Sequence, residues 1–163
     1  MAGHRRESFG QPLENICQAL HDIARSHQVE IVYPVHLNPN VKELVHRMLG
    51  DISNIHLLEP VEYPKFFWLM QKSYLILTDS GGVQEEASTL GKPVVVMRDT
   101  TERPESLEAG VSLLAGTSTQ AVVRAVERLL NDEELYQSMA RKLDLYGDGA
   151  TRHRVVDILT RRS

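Results

Sequence analysis

The sequence predicts an α/β fold, a doubly wound parallel sheet of Rossmann-like type with helices on both faces. Three observations predict it. Short, continuously apolar runs rich in β-branched residues recur along the chain: Val29–Tyr33, Ile55–Leu58, Tyr74–Thr78, Pro93–Met97 and Val111–Leu114. Segments with apolar residues at helical spacing lie between most of them. Gly, Pro or Asn punctuate the joins. A strand that is apolar along its whole length is buried on both faces, as in a parallel sheet covered by crossover helices. Alternation of such strands with helices gives the doubly wound arrangement.

The elements follow in order. From Pro12 to about His27, Leu13, Ile16, Cys17, Leu20, Ile23 and Ala24 fall on one helical face. Val29–Tyr33 is the next strand, ended by Pro34. Asn38 can cap a helix with Pro39 in its first turn, and Gly50 stops it. Ile55–Leu58 is a strand and Tyr63–Gln71 a short helix, with Phe66, Phe67, Trp68 and Leu69 read mostly as core. Tyr74–Thr78 leads into a helix over Gly82–Leu90 that Gly91 ends. Pro93–Met97 and Val111–Leu114 are the last strands. Helices follow at about Thr119–Leu130, Asp132–Leu143 and Thr151–Thr160. A length of 163 residues fits one domain able to bury a full core. The polar cluster Gly3–Glu7 stands where the carboxyl end of a first central strand belongs, but no apolar run precedes it. Either the domain opens on a helix, or the chain is a fragment cut at a domain boundary; the second is the expectation.

Composition narrows the partners. A net charge of −4 argues against nucleic acid, so an anionic ligand has to be drawn by local groups rather than by the overall field. No apolar run approaches the roughly 20 residues that span a bilayer, and the polar N-terminus has no secretory h-region. No membrane partner is expected. Cys17 stands alone, which fits a reducing cytoplasm. Neither a His-x-x-x-His nor a Cys-x-x-Cys spacing occurs, so no metal site is expected.

The strongest motif is Thr78-Asp79-Ser80-Gly81-Gly82-Val83-Gln84-Glu85-Glu86. It follows an apolar strand and opens a helix, whose free amides and dipole make an anion site. Gly81 and Gly82 let the backbone approach a ligand closely, and Ser80 adds a hydroxyl. Glu86 lies a turn further on, where a carboxylate can accept from two vicinal hydroxyls such as those of a ribose. The plainer alternative is an ordinary strand-to-helix turn. Next comes Arg98-Asp99-Thr100-Thr101-Glu102-Arg103-Pro104-Glu105, at the same sheet edge, where a guanidinium would complement a phosphate. It also reads as a solvated charged loop. In His4-Arg5-Arg6-Glu7, His4 can move a proton near neutral pH; a terminal histidine is as readily a surface residue. His36 follows a strand and so faces the ligand side, whereas His21, His27, His46 and His153 fall on helix surfaces or ends.

Together these stretches resemble a known family. Gly3–Gly10, Pro34–Asn40, Thr78–Glu86, Gly91-Lys92-Pro93, Arg98–Glu105 and Tyr146-Gly147-Asp148-Gly149 occur in the order found in the bacterial non-hydrolysing UDP-N-acetylglucosamine 2-epimerases, of the enterobacterial type. The resemblance implies the C-terminal half of a two-domain GT-B-type fold. Residues 1–163 are then the nucleotide-sugar-binding domain, without the N-terminal domain and its essential carboxylates. It implies that Ser80, Gly81 and Gly82 bind the diphosphate, Glu86 the ribose, Phe66 the uracil and Arg103 the phosphate and sugar. It implies a catalytic His4, and places Arg5 and His36 where a second, activating UDP-GlcNAc binds. The implied reaction interconverts UDP-GlcNAc and UDP-ManNAc for polysaccharide biosynthesis, with no cofactor. UDP is eliminated across C1 and C2 to give 2-acetamidoglucal, then re-added with the proton delivered to the other face of C2. The family is typically homodimeric, and the isolated domain is expected to be inactive. Asp144-Leu145-Tyr146 departs from the usual Asn-Pro-Tyr. A GT-B glycosyltransferase donor domain and a non-catalytic UDP-sugar-binding module are the alternatives.

Overall fold

The structure is a computed structural model and describes residues 10–147 and 149–160. Its first elements are α1 (Gln11–Ser26), β1 (Ile31–Pro34), α2 (Pro39–Leu49), β2 (Ile55–Leu58) and α3 (Tyr63–Lys72). Then come β3 (Ile76–Thr78), α4 (Gly81–Leu90), β4 (Val94–Val96), α5 (Pro104–Glu108) and β5 (Ser112–Leu114). The chain closes on α6 (Thr119–Asn131), α7 (Glu133–Met139) and α8 (Thr151–Thr160). The expected alternation of strands and helices is therefore present.

Local chemistry sets the boundaries. Pro12 sits in the first turn of α1 and Pro39 in that of α2, where no amide is needed. The Asn38 side chain caps α2 by accepting from the Asn40 amide at 3.0 Å. Gly91 ends α4 in the left-handed region at φ 68°, a conformation costly for other residues.

All observed pairings are parallel: β1 with β2, and β3–β4–β5 in that order. The register places Ile76 opposite Val94 and Thr78 opposite Val96. Side chains of β3 and β4 alternate between two apolar layers. Leu77 and Val95 join Leu20, Ile23, Val126 and Leu129 on the α1/α6 side. Ile76, Val94 and Val96 join Met70, Val83 and Ala87 on the α3/α4 side. Helices thus cover both faces, as a doubly wound sheet requires.

The described strands form a parallel pair, β1–β2, and a parallel triplet, β3–β4–β5. Between them runs an apolar groove of about 590 Å³, lined by β1 and β3 and by Leu20, Ile23, Leu69 and Val126. Several expectations need correction. Strand β2 has the expected bounds, whereas β1, β3, β4 and β5 are shorter than the apolar runs, because ladder pairing stops before the hydrophobic pattern does. Pro34 is the last residue of β1 rather than its stop. Helix α4 starts at Gly81, one residue early. Helix α7 stops at Met139 instead of Leu143, since Ala140 leaves helical geometry at ψ 48°. The chain then returns to α4, with the Leu143 amide donating to the Ser88 carbonyl at 3.0 Å. Trp68 is not core; it is 56% exposed.

Candidate functional site

The parallel register of β3 and β4 makes both strands end at one level, so the segments leaving them share an edge. The Met97 amide extends the ladder by donating to the Thr78 carbonyl at 2.9 Å. Two loops therefore converge: Asp79-Ser80 into α4, and 97–103 into α5.

Ser80 is the N-cap residue of α4, yet its side chain makes no capping hydrogen bond. Its amide is used locally, donating to Thr78 Oγ1 at 3.0 Å. Its carbonyl accepts from the Gln84 amide at 3.2 Å. The donors left at the helix tip are the amides of Gly81, Gly82 and Val83, which helix geometry leaves without an intrahelical acceptor. Gly82 is exposed, and a Cβ built there would meet nothing within 4 Å. A side chain at Gly82 would project into open space among the described residues, and the helix dipole favours an anion at the tip.

Arg103 immediately precedes α5 and reaches back to α4, where its Nε donates to Glu85 Oε1. Its Nη1 donates to the Glu102 carbonyl at 2.9 Å. The Glu85 hydrogen bond and charge push the guanidinium pKa further above its ordinary value, with lesser help from Tyr146 and Glu102. The side chain is thus a permanent cation anchored to the first turns of α4. A buried polar link holds the two loops together: Thr101 Oγ1 donates to Gln84 Oε1 at 2.9 Å, and Gln84 is fully buried. Thr101 Oγ1 also accepts from the Arg103 amide at 3.1 Å, tying the backbone of Arg103 to the same link.

Glu86 is half-buried on α4 and accepts from the Tyr63 hydroxyl at 3.1 Å through Oε2. Phe66 is half-buried on α3, packed against the α3/α4 apolar layer and lining the groove. Ser80, Gly81, Gly82, Glu86 and Arg103 therefore gather around α4, and Phe66 belongs to the helix packed beside it. His36 stands apart in the loop after β1; it is exposed, and its Nδ1 accepts from the Asn38 amide at 3.1 Å. His4 and Arg5 lie outside the described residues. Among the described residues, no group of three or more metal-ligating side chains is placed to hold an ion. No helix among them is long and apolar enough to cross a membrane.

Some site residues escape sequence reasoning. Tyr63 looks like one aromatic among several, and only the α3–α4 packing shows its hydroxyl on Glu86. Gln84 and Thr101 carry a signal that could have been used: a glutamine on the inner face of a helix needs a partner. Asp79 is buried and close enough to Tyr33 to help raise that phenol's pKa, after burial itself and Cys17.

Fold and site together define a class: a parallel α/β domain with free helix-start amides at a strand-to-helix turn. Within that class, the chain belongs to the UDP-N-acetylglucosamine 2-epimerase family, whose model matches residues 1–160. It is 58% identical over 160 residues to the UDP-N-acetylglucosamine 2-epimerase of Escherichia coli K12, covering 98% of this chain and 43% of that protein. It is 48% identical to the Bacillus subtilis enzyme, covering 98% of this chain and 42% of that one. The crystal structure of the Neisseria meningitidis UDP-GlcNAc 2-epimerase bound to UDP-GlcNAc superposes with a TM-score of 0.94 at 43% identity, over 98% of this chain and 43% of that chain. A Staphylococcus aureus structure with UDP gives 0.92 at 44% identity, over 98% and 44%. These neighbours are GT-B-fold enzymes, in line with the expected architecture. The chain spans less than half the length of the relatives it matches.

Proposed function

We propose that this chain is the C-terminal, UDP-binding domain of an enzyme that interconverts UDP-GlcNAc and UDP-ManNAc. The observation that carries the proposal is the open tip of α4. Ser80 leaves its own helix uncapped by its side chain, Gly82 faces open space, and Arg103 is anchored to the next turn. A diphosphate placed there accepts from the Gly81 and Gly82 amides and the Ser80 hydroxyl, and lies beside a permanent cation. Glu86, a turn further along α4, receives the ribose hydroxyls, and Phe66 on the neighbouring helix meets the base.

In the elimination of UDP across C1 and C2, charge builds on the departing diphosphate, and preorganised amides and a guanidinium stabilise it. The chain's part in catalysis is that cradle. Proton removal at C2 needs a base, and the carboxylates that serve it belong to the other domain of the enzyme; His4 contributes from this one. Arg5 and His36 belong to a site for a second, activating UDP-GlcNAc. The enzyme acts in the cytoplasm as a homodimer; a single thiol, buried at Cys17, is consistent with a reducing compartment.

Calorimetric titration of the chain with UDP and with uridine tests the cradle. UDP is expected to bind at least about tenfold more tightly than uridine, since charge-assisted bonds to the diphosphate contribute about 1.5–3 kcal/mol each. Equal affinities would show that the helix tip holds no phosphate.

A further inference from the structure

We propose that Tyr63 is a positioning residue for the nucleoside: it sets the Glu86 carboxylate in the orientation that receives a ribose. The inference rests on the reading of Glu86 as the ribose acceptor and adds a residue to it. Tyr63 is the first residue of α3, and it is 60% exposed. A residue so exposed owes its place to something other than burial. Its hydroxyl donates to Glu86 Oε2 at 3.1 Å. Its ring lies against Phe67, with centroids 6.2 Å apart and planes tilted by 41°. Residues three and four apart share a helix face, so Tyr63, Phe66 and Phe67 form one surface of α3. Helix α4 is packed against α3 and supplies Glu86. The phenol and the carboxylate thus meet between the two helices that frame the nucleoside.

The consequence is geometric. A partly exposed glutamate samples several rotamers and loses that freedom on binding. A phenol held at its ring by Phe67 and at its hydroxyl by Oε2 removes part of the loss beforehand. It occupies one acceptor position and leaves Oε1, with the second lone pair of Oε2, for vicinal hydroxyls. The raised pKa of Tyr63, caused first by this hydrogen bond, agrees with a phenol that remains a donor at neutral pH.

The test compares UDP with 2′,3′-dideoxy-UDP, which lacks both hydroxyls, by calorimetry on the whole chain. The readout is the ratio of the two affinities. The native chain is expected to prefer UDP by about tenfold or more, the worth of a hydrogen bond to a charged group. Glu86→Ala should bring the ratio near unity. Tyr63→Phe keeps the ring and removes the hydroxyl; it should cut the ratio about threefold, the worth of one ordered side chain. If Glu86→Ala collapses the ratio while Tyr63→Phe leaves it at the native value, the proposal is wrong and the ribose reading stands. If Tyr63→Phe weakens both ligands in proportion, its role is in packing and the proposal is also wrong. A native chain that does not distinguish the two nucleotides overturns the ribose reading and this proposal together.

Discussion

Gly82 shows how one residue separates stability from binding. It lies in the first turn of α4 with open space where a side chain would project. Nothing in the fold requires glycine at that point: among the positive-φ glycines Gly91 is present and Gly82 is not. Gly82→Ala is therefore expected to stabilise the chain by about 0.5–1 kcal/mol, through the lower entropy of the unfolded backbone. The same methyl group occupies the space proposed for the diphosphate, so UDP affinity should fall by about tenfold or more. Thermal unfolding and UDP titration check the opposite signs. A variant that is less stable and binds UDP as before would mean that the open space serves no ligand. Arg103, at the same scale, illustrates why a lysine is no substitute: its Nε and Nη1 serve Glu85 and the Glu102 carbonyl at once, which needs a planar fork.

Between α4 and the loop after β4, one hydroxyl does two jobs. Thr101 Oγ1 donates to buried Gln84 and accepts from the Arg103 amide. Replacing Thr101 with valine keeps the shape and strands the Gln84 carbonyl oxygen away from water, a loss of about 1–3 kcal/mol. Denaturant unfolding should show a lower midpoint at an unchanged slope. UDP affinity should fall in parallel, because the Arg103 backbone loses its tether. An unchanged midpoint would show that water replaces the threonine. Legibility in the sequence divides along the same line. The helices and the strand–Ser-Gly-Gly–helix join are readable, because period and turn chemistry are local. The strand limits and the end of α7 are not, because pairing partners and the return of residue 143 onto Ser88 decide them. The Tyr63–Glu86 contact is likewise invisible, spanning residues whose meeting depends on how α3 packs on α4. The exposure of Trp68 has the same origin: helical spacing fixes which residues share a face but leaves open which face is covered.

For the molecule as a whole, the chain spans 43% of the E. coli relative. Helix α8 is exposed along its length, with Val155, Val156, Ile158 and Leu159 between 48% and 66% accessible. Surface of this kind ordinarily meets other protein. On the proposed reading, the tip of α4 offers donors and a cation for a diphosphate, and the base for the C2 proton belongs to the other domain of the enzyme. Binding and turnover should therefore separate. The 163-residue chain is expected to bind UDP and to leave UDP-GlcNAc unconverted even at high protein concentration. Chromatographic separation of UDP-GlcNAc from UDP-ManNAc after prolonged incubation measures this directly. An acceleration of even a thousandfold over the uncatalysed reaction corresponds to about 4 kcal/mol of transition-state stabilisation, which positioned acid–base groups can supply and a phosphate cradle without a base at C2 should not. Turnover by the pure chain that Gly82→Ala abolishes would place the whole reaction at this tip and refute the division of labour between cradle and base.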